Sequence, residues 1–176
     1  MSGRVAVWSA PLRLLHWSLA AAIAFDFVQD DGGRLHRVVG YVAVAIVVLR
    51  LLWGAFAAGH EGLGPMRPSL RGTLAYLRAS FRGRAPRRRG HDPLGLWMVW
   101  LLWSLLGLLG LTGWLSGLDM FWGDGRVHEI HAAIAEVLEA AVIVHLLGVA
   151  VMSWHWRENL PAAMVTGSKR DDDRSA

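Results

Sequence analysis

Long uncharged runs alternate along this chain with short, densely basic stretches, and the runs are apolar on every side. A helix at the surface of a water-soluble domain keeps a polar face, and these runs lack one. Four candidate membrane spans follow: Pro11–Val28, Arg37–Ala58, Leu94–Leu115 and Ile130–Trp154. The third is the clearest, 22 residues without a charge, where about 20 suffice to cross a hydrocarbon core of about 30 Å. The first carries Asp26 near its end, with Pro11 at a tolerated helix start and Trp8 and Trp17 suited to an interface. Ala22-Ile23-Ala24 resembles a signal-peptide cleavage site, but His16 interrupts the apolar segment and only Arg4 and Arg13 precede it, so it reads as a span. The fourth holds Glu136, Glu139 and two histidines, which predicts a helix turned toward the bundle interior. Gly59–Pro93 reads as a long loop, Asn159-Leu160-Pro161 as the cap and start of a short interfacial helix, and 168–176, with Asp171–Asp173, as a disordered tail. The expected fold is all-α: one integral membrane domain over 1–167, a four-helix bundle of up-down topology.

Composition narrows the chemistry. The 176 residues include ten Trp and no Cys. Disulfides, Cys-ligated zinc, iron–sulfur clusters and covalent C-x-x-C-H haem attachment are thereby excluded. The net charge of +4 points to topology rather than to nucleic acid. The N-terminal segment to Arg13 holds two Lys or Arg, the Gly59–Pro93 loop eight and the tail after Trp154 four, giving 2 + 8 + 4 = 14; the opposite side has Arg34, Arg37 and Arg126 only. That asymmetry predicts both termini and the long loop on the cytoplasmic side. The run Arg-Gly-Arg-Ala-Pro-Arg-Arg-Arg at 82–89 reads as a topology signal and an anionic-lipid contact, with a docking surface for a cytoplasmic partner as the alternative.

Ionisable groups within spans are costly and are functional candidates. His131 and His145 lie 14 residues apart on one helix, within about 40° of one face and about 21 Å apart along the axis. His36 lies at the depth of His131, and His16 toward the depth of His145. The spans therefore offer two facing pairs, stacked across the bilayer. Paired histidines suit axial haem ligation, whereas zinc needs three or four converging ligands. His128 can replace His131 or form an H-x-x-H metal pair with it; His60, His91 and His155 read as solvated or interfacial. Arg50 is 14 residues beyond His36, level with the inner pair, either as a haem-propionate partner or snorkelling to the surface. Arg13, Arg34 and Arg37 are further propionate candidates. Gly40 and Gly148 flank the histidines, where they suit a flat macrocycle or close helix packing.

The motifs, taken together, resemble the bacterial cytochrome b561 family, which includes the b-type cytochrome subunits of nickel–iron hydrogenases. The resembling segments are Val7-Trp8 with Pro11 and Arg13-Leu14-Leu15-His16-Trp17, then Leu35-His36-Arg37-Val38-Val39-Gly40-Tyr41, Leu49-Arg50-Leu51-Leu52-Trp53-Gly54 and Gly90-His91-Asp92-Pro93. Leu111-Thr112-Gly113-Trp114, the His131–His145 stretch, Arg157-Glu158-Asn159-Leu160 and Met164-Val165-Thr166-Gly167 complete the series. The resemblance implies two b haems, the inner shared by His16 and His145 and the outer by His36 and His131. It also implies a bacterial inner-membrane protein exchanging electrons with quinone and with a periplasmic redox protein such as a c-type cytochrome or a hydrogenase. Arg37 departs from the pattern, which would place an acidic or neutral residue after the second-helix histidine. Asp26, Glu136 and Glu139 are candidates for carrying quinone protons. Two other functions fit the residues: a self-contained superoxide:quinone oxidoreductase with Arg34, Arg37 and His128 as a cationic funnel, and a haem-free metal transporter using His128 and His131.

Overall fold

The computed structural model describes residues 3–29, 32–82, 90, 92–121 and 125–170. His91, the basic run at 83–89 and Asp171–Asp173 lie outside the described residues. Among the described residues, four helices are long and apolar enough to cross a membrane: α1 (Ala10–Val28), α2 (Arg34–Phe56), α4 (Pro93–Leu115) and α5 (Gly125–His155). The described residues also form two shorter α-helices, α3 (Leu70–Phe81) and α6 (Leu160–Thr166), and a two-stranded ribbon of β1 (Arg4–Ala6) and β2 (Ser168–Arg170). α2 starts three residues earlier than expected, so His36 sits inside its first turn. α5 extends past both expected ends, and its 31 residues reach about 46 Å, well beyond the hydrocarbon core.

Each helix start has a local cause. Pro11 occupies the first turn of α1, where its missing N–H costs nothing. The Ser9 N–H and hydroxyl both donate to the Glu61 carboxylate, at 2.7 and 2.9 Å. Asp92 caps α4, accepting from the Gly95 N–H at 2.7 Å, with Pro93 behind it. Asn159 caps α6 in the same way, accepting from Ala162 at 2.8 Å, as its sequence suggested.

Two departures from expectation concern the connecting segments. The stretch 59–93 contains α3, whose Ser69 cap accepts from the Gly72 N–H; its repeat of apolar residues is masked in the sequence by five arginines nearby, from Arg67 to Arg84. Two tryptophans of α4 hold this region down: Trp97 donates to the Thr73 hydroxyl at 3.1 Å and Trp100 to the Met66 carbonyl at 2.8 Å. At the far end, Ser168–Arg170 is not a loose tail but pairs antiparallel with β1 in the register Arg4 to Arg170, Val5 to Lys169 and Ala6 to Ser168. Gly167 makes the turn into this clasp with φ of 79°, and its carbonyl accepts from the Val7 and Trp8 N–H groups. A Cβ there would lie 2.7 Å from the Trp8 carbonyl oxygen, so glycine is required twice over.

Helix packing runs α1 on α2, α2 on α4 and α4 on α5. α2 and α4 pack tightly at Gly110, where a Cβ would come within 2.6 Å of Val44. Between the spans, Val47, Leu105, Leu106, Leu138 and Ala141 form a buried cluster, flanked by Leu19 and Ile23 of α1. Large apolar side chains elsewhere on the spans point outward, as a lipid-facing surface requires. Glu136 and Glu139 correct one expectation: both are exposed. Five residues from His131 is about 140° of helix rotation, so Glu136 turns away from the histidine face instead of sharing it.

Candidate functional site

The outer pair is assembled by the first turn of α2 and the second turn of α5. The His36 and His131 rings have centroids 6.2 Å apart and planes inclined at 78°. Two rings this close could hold one metal ion between them, each supplying a single nitrogen.

The surrounding hydrogen bonds select the nitrogens. The Thr112 hydroxyl lies 2.9 Å from the Leu108 carbonyl, to which it donates. It therefore accepts from His131 Nδ1–H at 2.8 Å. His36 Nδ1–H donates to the Gln29 carbonyl at 3.0 Å, with the Asp26 carboxylate 3.6 Å away. With both Nδ1 atoms occupied as donors, each ring keeps its Nε2 lone pair for a metal, and the partner groups fix ring orientation. The His131 ring lies against α4 beside Gly113, where a Cβ would meet Cε1 at 3.5 Å, an ordinary contact. A Cβ at Gly40 would meet Asp26 Oδ2 at 3.6 Å, an ordinary contact.

The inner pair lies below the buried apolar cluster. His16 of α1 and His145 of α5 are near enough to interact electrostatically. The His16 Nδ1 is buried without a hydrogen-bond partner, and its ring stands edge-on to Trp17 at 5.2 Å. Trp17 donates to the Met164 carbonyl at 3.3 Å and Arg13 to the Val165 carbonyl, so α6 pins the inner end of α1. Among the described residues no group of three or more His, Cys, Asp or Glu converges as a metal site. His128 is exposed and close enough to His131 to act on its charge.

Arg50 is 8% exposed. Its Nη2 donates to the Glu61 carbonyl and approaches Met66 Sδ, both at 3.0 Å, and its guanidinium lies over Trp103. Its Nη1 is buried without a partner. Arg50 therefore anchors the segment after α2, a role not visible in sequence, and retains one nitrogen for an anionic oxygen. Glu61 is the other residue that sequence reading passed over: its carboxylate takes Ser9 and Trp53 while its carbonyl takes Arg50. Thr112 was detectable in principle as an isolated hydroxyl within an uncharged span. A cavity of about 350 Å³ opens beside the outer pair, bounded by Arg34, Arg37, Tyr41, Gly113 and Trp114.

Among curated proteins no match to this chain is found. Residues 7–167 match the family model described as prokaryotic cytochrome b561, and with nearly its whole length covered the chain belongs to that family of membrane-bound b-type cytochromes of electron transfer.

Proposed function

We propose that the chain is a di-haem membrane cytochrome carrying electrons between a periplasmic redox partner, such as a c-type cytochrome or a hydrogenase, and the quinone pool. The 6.2 Å spacing of the His36 and His131 rings is the observation that carries this reading. A b haem held between two imidazoles supplies one-electron chemistry with no open coordination position. His36 and His131 hold the outer group, His16 and His145 the inner. Thr112, Gln29 and Asp26 orient the outer imidazoles, while Arg50 offers Nη1 to an inner propionate. The apolar cluster around Val47 and Leu138 excludes water between the two levels. Asp26, beside the outer pair, is the best placed of the three carboxylates to carry a quinone proton. The charge asymmetry of 14 Lys and Arg against three supports a bacterial inner-membrane location with both termini cytoplasmic.

The test is haem stoichiometry in purified protein. His16→Ala and His36→Ala each lose one haem and keep the other; loss of both from either variant, or of neither, rejects the pairing. A second reading, superoxide:quinone oxidoreductase, draws on the Arg34 and Arg37 walls of the outer cavity. Superoxide-dependent quinone reduction by the purified chain without any partner decides between them.

A further inference from the structure

The inner end of α5 terminates in a way its sequence does not favour. The Glu158 N–H returns to the Ser153 carbonyl at 3.0 Å and the Arg157 N–H to the Trp154 carbonyl. This closes the helix with Arg157 at φ of 48°. Among the described residues Arg157 is the one non-glycine with positive φ. Glycine is the usual occupant of such a C-terminal position, and a side chain there is strained. An arginine held in that conformation is a reason to look for what its side chain does.

The side chain borders an open cavity of about 450 Å³ between the end of α5 and the start of α6. Ala150, Trp154 and Pro161 form its apolar walls. The polar atoms around it are already engaged in the fold. Ser153 Oγ accepts from the Leu160 N–H, Asn159 Oδ1 from the Ala162 N–H, and Glu158 Oε1 from the Arg170 N–H at 2.7 Å. The Arg157 guanidinium, by contrast, has no hydrogen-bond or ion-pair partner among the described residues. Trp154, 82% exposed, stands one helical turn before it, on the apolar span where it enters the interface.

We propose that this cavity is a binding site for an anionic phospholipid, with Arg157 gripping the headgroup phosphate and Trp154, Ala150 and Pro161 lying along the glycerol and upper acyl chain. Three features select a lipid over a free anion. The guanidinium fork matches a phosphodiester. The wall beside it is apolar and continuous with a membrane span. An exposed tryptophan at that level is the side chain that interfaces favour. The site is separate from both histidine pairs and does not depend on haem.

Backbone strain supplies a clean test. Glycine at position 157 relieves the conformation while removing the cation, so Arg157→Gly keeps or raises the thermal midpoint. Detergent-purified full chain is titrated with dioleoyl phosphatidylglycerol, dioleoyl phosphatidylcholine or inorganic phosphate, and retained lipid is counted by native mass spectrometry. Wild type holds one phosphatidylglycerol in preference to phosphatidylcholine, and Arg157→Gly weakens that preference by about fivefold or more. Arg157→Lys restores part of it, and Trp154→Ala weakens retention of both lipids. Equal phosphatidylglycerol retention by wild type and Arg157→Gly overturns the proposal. So does displacement of the lipid by millimolar phosphate, which would make the ligand a free anion.

Discussion

Replacing Thr112 by valine removes one oxygen and little else. The side chain keeps its shape, and α4 loses only a hydroxyl that donates to its own Leu108 carbonyl, a bond that helices do without. The consequence falls on His131, whose Nδ1–H loses its acceptor at 2.8 Å. A hydrogen bond of this kind contributes about 1 kcal/mol net, and leaving a buried donor unpaired costs about 1–3 kcal/mol. Partners that orient a metal-binding histidine are worth about 10–100-fold in metal affinity. Thr112→Val should accordingly lower retention of the outer haem about tenfold or more and leave the inner one untouched. The potential moves too. An acceptor at Nδ1 makes the imidazole a better donor and favours the ferric state; without it the outer midpoint potential rises. A contribution of about 1 kcal/mol corresponds to about 40 mV for one electron, at 59 mV per tenfold. Spectroelectrochemical titration of wild type, Thr112→Val and Thr112→Ser reads both effects, and serine, which keeps the oxygen, should resemble wild type. If valine leaves the outer potential and haem content unchanged while the inner haem shifts, His131 does not hold the outer group through Nε2.

Two further outcomes concern the scaffold. Gly110→Ala places a methyl 2.6 Å from Val44 and forces α2 from α4, costing about 1–3 kcal/mol; thermal unfolding in detergent should show the loss, and adding Val44→Ala should recover most of it. Glu61→Ala removes the acceptor for both Ser9 donors, costs about 1 kcal/mol as a lost cap does, and should speed proteolysis near residue 9 while haem content stays constant.

Much of the architecture was legible in the sequence because bilayer thickness sets a strong length requirement. An uncharged run such as Leu94–Leu115 has few other options, and the observed helix differs from it by one residue. The pairing of His36 with His131 was legible as well, since fixed helical rise converts sequence spacing into depth. What escaped was non-local or masked. α3 was hidden because its arginines dominate the composition around it. The β1–β2 pairing joins three-residue strands from opposite ends of the chain, too short to leave a pattern. Thr112 looked like any hydroxyl until α4 and α5 were packed together. Glu136 and Glu139 escape for a different reason: ionisable residues on one helix do not all face the interior, and Glu136 lies about 140° of rotation from His131.

The clasp between the chain ends also bears on the order of assembly. Arg4 and Ser168 are 164 residues apart in sequence and bonded in the fold, so β1 leaves the ribosome first and gains its partner last. Until β2 arrives, the amino end has no strand to pair with, whatever the spans have done. Contacts of such long range close late, and with four membrane-spanning helices between them the two strands can meet only when both lie on one face of the membrane.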